Sequence, residues 1–416
     1  MNGKYCINCG SSLNTEDKFC HLCGARAENV KTISQQPKQY EGNNVYEVEI
    51  DKKTTSLPRK KLSKNAIRAI IIVPLVLSII ALPFVAVSII GSISVPLGTL
   101  EYEVTSLDIL ETKLVIDNSV GSVTINYDDS ISNLFEASLI VKGGLAASLD
   151  NAVNFEHQIL NNQTIITFDS GEWFESFWTM KQLNYKIIIS LNPSAIVDFA
   201  ITTSTGSSAL LLNGIDNIII HDLFLDSSTG SVGVYSGNTI NTTIDDISLT
   251  TSTGSVTLDF NKAINTKIQD LFLDCSTGRV YANLGENMEI NSEEVIMSTS
   301  TGSVTLEYEN IILNNDINWD VSTSTGSITI NFNQDIIIPA NFTANFDVET
   351  STGSISINCI THSDLGIEML ADTNTGSINL PGGFSHFIST DCYLKNNIYN
   401  FILITSTGSI TAVVTN

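Results

Sequence analysis

A short motif, Ser-Thr-Gly-Ser followed by Val or Ile, recurs through the second half of this chain and restricts its fold more than any other feature. Six successive motif glycines are spaced by 24 residues, and three more follow at intervals of 27, 23 and 32 residues. These glycines are Gly206, Gly230, Gly254, Gly278, Gly302, Gly326, Gly353, Gly376 and Gly408, and Gly121 stands in a degenerate first copy. A fixed period of this length predicts a protein made of stacked repeats.

The residues around each motif glycine alternate between apolar and polar. Around Gly230, for example, Leu223 and Leu225 precede the glycine and Val232 follows it. Alternation with a period of two predicts short strands that each bury one face. Because one repeat cannot bury that face alone, we expect an all-β fold, a parallel β-solenoid (β-helix) of about ten coils. A β-propeller is the alternative, but a repeat of 24 residues is too short for a four-stranded blade.

A threonine precedes the glycine in nine consecutive copies, from Thr205 to Thr407. Side chains at one position of stacked coils lie next to each other, so we expect these hydroxyl groups to hydrogen-bond from coil to coil.

The segment from Ser130 to Ala200 lacks the glycine motif, although parts of it, such as Tyr185 to Leu191, still have strand character. It also contains an aromatic cluster, formed by Trp173, Phe174, Phe177 and Trp178. An exposed solenoid end needs a cover, so we interpret residues 96–200 as a capping and degenerate part of the β-solenoid that precedes the repeats in 201–416. The alternative for the aromatic cluster is a protruding loop that binds a ligand or touches a membrane.

A long uncharged stretch, rich in Ile, Leu and Val, lies between Arg68 and Glu101. A membrane-spanning helix needs about 20 apolar residues, so we predict one transmembrane α-helix at residues 66–95. Its two prolines, Pro74 and Pro83, are tolerated as kinks in a membrane. A cleaved signal peptide fits poorly, because the apolar run begins too far from the N-terminus and is too long.

The charges on the two sides of this segment predict its orientation. Arg59, Lys60 and Lys61 precede it, whereas Glu101 and Glu103 follow it. Since Lys and Arg mark the cytoplasmic side, we expect a single-pass protein of the cell membrane with a cytoplasmic N-terminus and an extracytoplasmic C-terminal domain.

The first residues of the chain contain two matched Cys-x-x-Cys pairs, and a glycine follows each pair. The four cysteines are Cys6, Cys9, Cys20 and Cys23. Four thiolates at this spacing can hold Zn²⁺ tetrahedrally in a closed, structural site. We therefore predict a zinc-binding domain at residues 1–27, folded by its metal, followed by a flexible basic linker at 28–65. A disulfide pair or a redox motif is disfavoured by the cytoplasmic placement and by the second pair.

Two parts of the chain resemble known families. The segment from Tyr5 to Arg26, with its four cysteines, resembles the short zinc ribbon found at the N-termini of archaeal and bacterial membrane proteins, and this implies a module that contacts protein or nucleic acid. The repeats from Leu183 to Val413 resemble the putative-adhesin family of bacterial and archaeal β-solenoids. Many members of that family carry an acidic residue after the glycine, where this chain has Ser231 and Ser255, so the role of that acid does not transfer.

Acidic residues far outnumber basic ones, 44 to 20, and the basic ones concentrate before the apolar stretch. The repeat domain therefore repels phosphate backbones, and we expect no nucleic acid to bind at the solenoid.

One acidic position recurs eight residues before the motif glycine. It is occupied by Asp198, Asp222, Asp246, Asp270 and Glu294, and then by Asn318 and Asn345. Stacked strands lie about 4.8 Å apart, so these carboxylates repel one another unless a cation such as Ca²⁺ neutralises them. The alternative is a solvated strand edge that resists aggregation, which the absence of a Ca²⁺-binding nonapeptide motif favours.

No catalytic motif is found in the sequence, and its histidines are scattered, at positions 21, 157, 221, 362 and 386. We therefore expect a non-enzymatic, membrane-anchored cell-surface binding or structural protein. Its outer ligand would be a protein or a glycan, and its zinc ribbon would contact a cytoplasmic partner. The alternative is a transmembrane sensor of the envelope that signals through the zinc ribbon.

Overall fold

The computed structural model describes residues 95–105, 111–143, 149, 153–170, 183–212, 214–383 and 385–415, with the backbone of residues 4–5 and 12–13. Several predictions lie outside this described part. They are the zinc ligands Cys6, Cys9, Cys20 and Cys23, the linker at 28–65, nearly all of the membrane segment at 66–95, and the aromatic residues Trp173, Phe174, Phe177 and Trp178.

The chain divides into two compact units, Met1–Ile72 and Val73–Asn416. In the first unit, the described backbone forms two short antiparallel strands, β1 (Lys4–Tyr5) and β2 (Ser12–Leu13). The second unit holds all the remaining strands.

These strands, in chain order, are β3 (Val95–Val104), β4 (Glu111–Tyr127), β5 (Phe135–Gly143), β6 (Asn154–Leu160), β7 (Gln163–Asp169), β8 (Leu183–Leu191), β9 (Ile196–Thr205), β10 (Ser208–Leu211), β11 (Ile219–Thr229), β12 (Val232–Tyr235), β13 (Thr243–Asp259), β14 (Lys267–Leu284), β15 (Glu289–Ile290), β16 (Glu294–Glu309), β17 (Ile312–Leu313), β18 (Ile317–Thr325), β19 (Ile328–Gln334), β20 (Phe342–Thr352), β21 (Ile355–Thr361), β22 (Gly366–Thr375), β23 (Ile378–Asn379), β24 (His386–Ile388), β25 (Asn397–Thr407) and β26 (Ile410–Thr415).

The prediction of an all-β protein is confirmed for the described residues. Their helical structure consists of two 3₁₀ turns, Pro381–Gly383 and Cys392–Leu394. Within the same residues, no helix has the length and apolar character needed to cross a membrane.

Strands one repeat apart pair in parallel and in register. Leu223 lies beside Ile247, for example, and Ile247 lies beside Leu271 in the next strand. The same register continues after the glycine, where Val256 pairs with Val280. Each position of the repeat therefore forms a column that runs across successive strands, and the inward-facing columns make one continuous apolar core.

The core contains aromatic columns as well as aliphatic ones. The rings of Trp319 and Phe346 stack with their centroids 5.2 Å apart, and Phe346 stacks on Phe401 at 4.7 Å. All three side chains are buried. Aromatic pairs at this distance contribute stabilising free energy in addition to that gained from burying their apolar surface.

The strands at the C-terminal end do not stack in chain order. β25 pairs in parallel with β20 on one side and with β22 on the other, so the last long strand lies between two earlier ones. β26 likewise pairs with both β21 and β23. The edge of β22 is met by β24, which runs antiparallel to it. Partial covering of this kind limits edge-to-edge association of a terminal strand.

The N-terminal end of the second unit combines parallel and antiparallel pairing. β4 pairs in parallel with β9 on one side and with β7 and β8 on the other. β5 joins β8 in an antiparallel manner, and β6 joins β7 through a tight turn. The turn residues, Asn161 and Asn162, both have positive φ angles, as the commonest two-residue hairpins require.

Candidate functional site

The motif glycines form a column in which each backbone lies directly against the next. Their φ angles fall between +128° and +157°, a region that disfavours other residues. A Cβ atom on Gly302 would lie only 1.5 Å from the carbonyl oxygen of Gly278. The repeat therefore needs glycine here for a steric reason, because no side chain fits between adjacent strands.

Hydroxyl side chains stand three residues before most of the motif glycines and support this column, and Cys275 takes this position before Gly278. Thr251 Oγ1 donates a hydrogen bond to the carbonyl of Gly230 at 2.8 Å, and Ser227 Oγ donates to Gly206 at 2.9 Å. Both side chains are buried. In these strands the hydroxyl thus binds the carbonyl of the glycine in the neighbouring strand, whereas Thr299 Oγ1, at the same position of the repeat, makes no such bond.

The predicted hydrogen bonding at the threonines from Thr205 to Thr407 is therefore corrected. These threonines are exposed, although they pair in register with each other. The buried and bonded hydroxyls stand two residues earlier, because the two residues directly before the glycine both face solvent.

The acidic column is partly assembled as the sequence predicts. Asp222, Asp246 and Asp270 lie side by side on neighbouring strands and are exposed. Burial raises the pKa of Asp246, and the charges of Asp270 and Asp222 raise it further. Asp246 therefore carries an electrostatic penalty when it is ionised.

The other two predicted acids have different neighbours. Asp198 lies beside Lys113 of β4 and accepts a hydrogen bond from Gln163 Nε2 at 3.0 Å. Glu294 pairs with Asn318 on the following strand. Among the residues that the structure describes, no group of three His, Cys, Asp or Glu side chains is placed to hold a metal ion. Calcium at this column therefore stays a prediction.

Beyond Glu294 the same column continues with the amides Asn318, Asn345 and Asn400, and it ends at Glu368, which pairs with Asn400. Asn345 Nδ2 donates to Asn318 Oδ1 at 3.0 Å, and Asn400 Nδ2 donates to Asn345 Oδ1 at 3.0 Å. An amide both donates and accepts, so a column of amides can bond along its whole length.

A second amide column was not anticipated from the sequence. Asn217, Asn241 and Asn265 have φ angles of 60°, 57° and 54°, and their side chains bond to one another at 3.2 and 3.0 Å. Asparagine tolerates this left-handed backbone better than most residues. Their spacing of 24 residues was the available signal in the sequence.

Two histidines each contact one carboxylate. His221 Nδ1 lies 2.8 Å from Asp245, and His386 Nε2 lies 2.8 Å from Glu368. Tyr393 Oη also donates to Glu368, at 2.8 Å. His386 and Glu368 connect β24 to β22, so this pair fastens the short antiparallel strand.

A polar groove of about 400 Å³ lies on the outward face of the strands that follow the motif glycines. Its lining includes Tyr281, Asn283, Glu307, Asn331, Asn333 and Asn358. The guanidinium carbon of Arg279 lies 4.6 Å from the centre of the Tyr281 ring, within the range of a cation–π contact. The groove thus combines amides, a carboxylate and an aromatic ring, which are groups suited to binding a polar ligand.

No family model and no curated protein matches the chain. The solved structures that align with it at low identity include three proteins whose names refer to adhesion. They are a putative cell adhesion protein from Clostridium sporogenes (12% identity, 77% of this chain and 100% of that one, TM-score 0.21), a putative adhesin from Bacteroides fragilis (13%, 77% and 98%, 0.28) and a putative adhesin from Parabacteroides distasonis (12%, 75% and 97%, 0.31). At TM-scores this low, the alignments do not establish a common fold with any of the three proteins.

Proposed function

We propose that this chain is a membrane-anchored, non-enzymatic binding or structural protein of the cell surface, and that its repeats form a parallel β-solenoid outside the membrane. The observation that supports this most is the parallel pairing from β9 to β21, in register from β11 onward, which lines up outward side chains in long columns. Stacked repeats create extended surfaces of a kind that suits binding to extended partners. The outer partner is then a protein or a glycan.

Anchoring rests on the sequence between Arg68 and Glu101, which carries no charge. A single helix that begins at residue 66 and ends before β3 starts at Val95 would place the N-terminus in the cytoplasm and the repeats outside. Reporter fusions after Tyr40 and after Asn416 test this placement. A phosphatase that is active only outside the cytoplasm should be active at Asn416 alone, and activity at Tyr40 would contradict the proposed orientation.

Surface binding is tested with the full chain in lipid nanodiscs. We expect it to retain specific cell-envelope glycans or surface proteins, because the repeat columns offer many polar groups at regular spacing. A Gly302→Ala variant, which disrupts the glycine column, is the control and should lose this retention. Equal retention by both proteins, or measurable hydrolase or lyase turnover, would argue against the proposal.

The zinc ribbon is proposed to hold one structural Zn²⁺ through Cys6, Cys9, Cys20 and Cys23. We expect about one zinc per full chain under reducing conditions, and a loss of most of it in the Cys20→Ser variant. A Cys275→Ser variant is the matched control, since that free cysteine is buried in the repeats. Unchanged zinc content in Cys20→Ser would refute the site.

The same variants separate a surface protein from a transmembrane sensor. A sensor needs the zinc ribbon for its cytoplasmic output, because that module is the folded part predicted inside the cell. If Cys20→Ser changes gene expression or cytoplasmic partners while surface binding persists, the sensor is favoured. If neither changes, the ribbon has no signalling role.

A further inference from the structure

The polar groove on the outward face runs across successive strands. Asn283 of β14 pairs with Glu307 of β16, which pairs with Asn331 of β19 and then with Asn358 of β21. Neighbouring strands lie about 4.8 Å apart, so these four side chains extend over roughly 14 Å. The binding surface is therefore long and narrow, perpendicular to the strands.

The side chains in this column offer both kinds of hydrogen-bonding group. Asn331 Nδ2 donates to Glu307 Oε1 at 2.9 Å, which fixes the orientation of both groups. Each asparagine amide has two donor hydrogens and an accepting oxygen, and the carboxylate accepts further bonds. A hydroxyl group both donates and accepts, so a chain of hydroxyl groups complements this column.

The coil at one end of the groove departs from the repeat. Arg279 follows its glycine, whereas Ser stands there in the other eight copies from Gly206 to Gly408. Two positions later stands Tyr281, where the other copies have Ala, Gly, Thr, Ser or Asn. Both departures occur on the same strand, where Tyr281 lines the groove and Arg279 contacts the Tyr281 ring.

An aromatic ring beside hydrogen-bonding groups can bind the apolar face of a sugar ring. Tyr281 is half-buried, and Arg279 lies against its ring and holds it in place. Amphipathic aromatic side chains give large contact area at little entropic cost. The ring therefore provides a platform at the end of the polar column.

Charge limits the class of ligand. Glu307 and Glu309 line the groove, and the chain carries a net charge of −24, so polyanions are repelled. In the described part of the chain, no group of three metal-binding side chains is present to bridge an anion. We infer that this groove binds a neutral glycan chain, with one sugar ring on Tyr281 and the following hydroxyl groups along Asn283, Glu307 and Asn331. This inference rests on the proposed surface-binding function and names its ligand class and site.

The test uses the full chain in lipid nanodiscs, which avoids sugar-based detergents. The probes are neutral hexasaccharides of glucose, mannose, galactose and N-acetylglucosamine, with hexagalacturonate as the anionic comparison and an extended peptide as the polypeptide comparison. Calorimetry should detect binding of at least one neutral hexasaccharide. Tyr281→Ala should weaken that binding by about tenfold or more, and Asn331→Ala by a smaller factor.

Tyr235→Ala is the matched control. Tyr235 stands on β12, outside the groove, and its side chain is 37% exposed. Its removal should leave the affinity for the neutral probe unchanged, and all three variants should unfold at the same temperature as the parent protein.

Three results would overturn the inference. They are binding of no neutral probe, tighter binding of the anionic or peptide probe, and an affinity for the neutral probe that Tyr281→Ala and Asn331→Ala do not change. The surface-binding proposal would survive any of these if the full chain still retained cell-envelope material. It would fail separately if that retention were absent.

Discussion

The glycine column and the acidic column recur with the same period, but only the glycine column keeps its residue type in every coil. Ten glycines, from Gly121 to Gly408, occupy the first column, including those in the strands that stack out of chain order. The second column begins with Lys113, continues through five acids, changes to amides at Asn318 and returns to an acid at Glu368.

The glycine column is under a steric constraint, whereas the acidic column is under an electrostatic one. At a motif glycine, a Cβ atom would lie within 1.9 Å of a backbone oxygen on the neighbouring strand, so no substitution fits. The exposed carboxylates only repel each other, and water, a lysine or an amide can each relieve that repulsion. The residue type is therefore constant at the glycine position, where no side chain fits, and it varies at the exposed acidic position, where solvent or a neighbour relieves the repulsion.

The largest expected effect comes from breaking the glycine column. Gly302→Ala should destabilise the repeats by more than about 4 kcal/mol, because the new Cβ collides with the Gly278 backbone. The control is Gly214→Ala, at φ +70° with nothing within 4 Å of its Cβ position, which should cost about 1–2 kcal/mol. Urea unfolding followed by circular dichroism measures the stability of both variants. Similar unfolding midpoints for Gly302→Ala and Gly214→Ala would show that the glycine column tolerates side chains.

The hydroxyl groups that bind the glycine carbonyls should have the next largest effect. Thr251→Val removes the 2.8 Å hydrogen bond to Gly230 and should lower the free energy of unfolding by about 1–3 kcal/mol. Thr266→Val is the matched control, because Thr266 Oγ1 is buried and has no hydrogen-bond partner in the described part of the structure. Thr266→Val should leave the free energy of unfolding unchanged or raise it. If both variants lower it equally, the hydrogen bond from Thr251 to Gly230 contributes little to stability.

A smaller effect of opposite sign is expected in the acidic column. Asp246→Asn should stabilise the protein at pH 7 by about 0.5 kcal/mol, since it removes repulsion from Asp222 and Asp270. Asp245→Asn, at the adjacent position, should not stabilise, because it replaces the charged partner of His221 with a neutral amide. Thermal unfolding of the two variants compares them directly.

The pH dependence of this effect follows from the raised pKa of Asp246. A raised pKa means that the folded state binds the proton more tightly than the unfolded state, so stability falls as the pH rises from the unfolded pKa through the folded one. The advantage of Asp246→Asn should therefore be fully present at neutral pH and disappear in acid. An advantage that persists unchanged below the unfolded pKa would show that it does not come from the charge.

Cations should have the smallest effect. Sodium chloride should raise the unfolding midpoint slightly by screening the repulsion within the acidic column. If the column is a solvated strand edge, calcium chloride at equal ionic strength should raise the midpoint no further. A larger rise with calcium, absent in Asp246→Asn, would instead assign a calcium site to Asp222, Asp246 and Asp270.

Much of the fold follows from residue spacing alone. The apolar positions around Gly230, such as Leu223, Leu225 and Val232, were predicted to be buried, and all three are. The neighbours along each column could also be deduced, because a strict 24-residue period fixes which residues meet. The groove was not predicted, although Arg279 and Tyr281 interrupt the repeat at the point where it begins.

The strands of the repeats, the inward face of each of these strands and the recurrence of glycine follow from the 24-residue pattern, because they depend on local geometry that repeats. The order of the strands at the two ends could be read only from the folded chain. β25 lies between β20 and β22, and β4 lies between β9 and the pair β7 and β8. Similar strands present equivalent edges, so the choice among them depends on how the whole chain buries its core and covers its last edge.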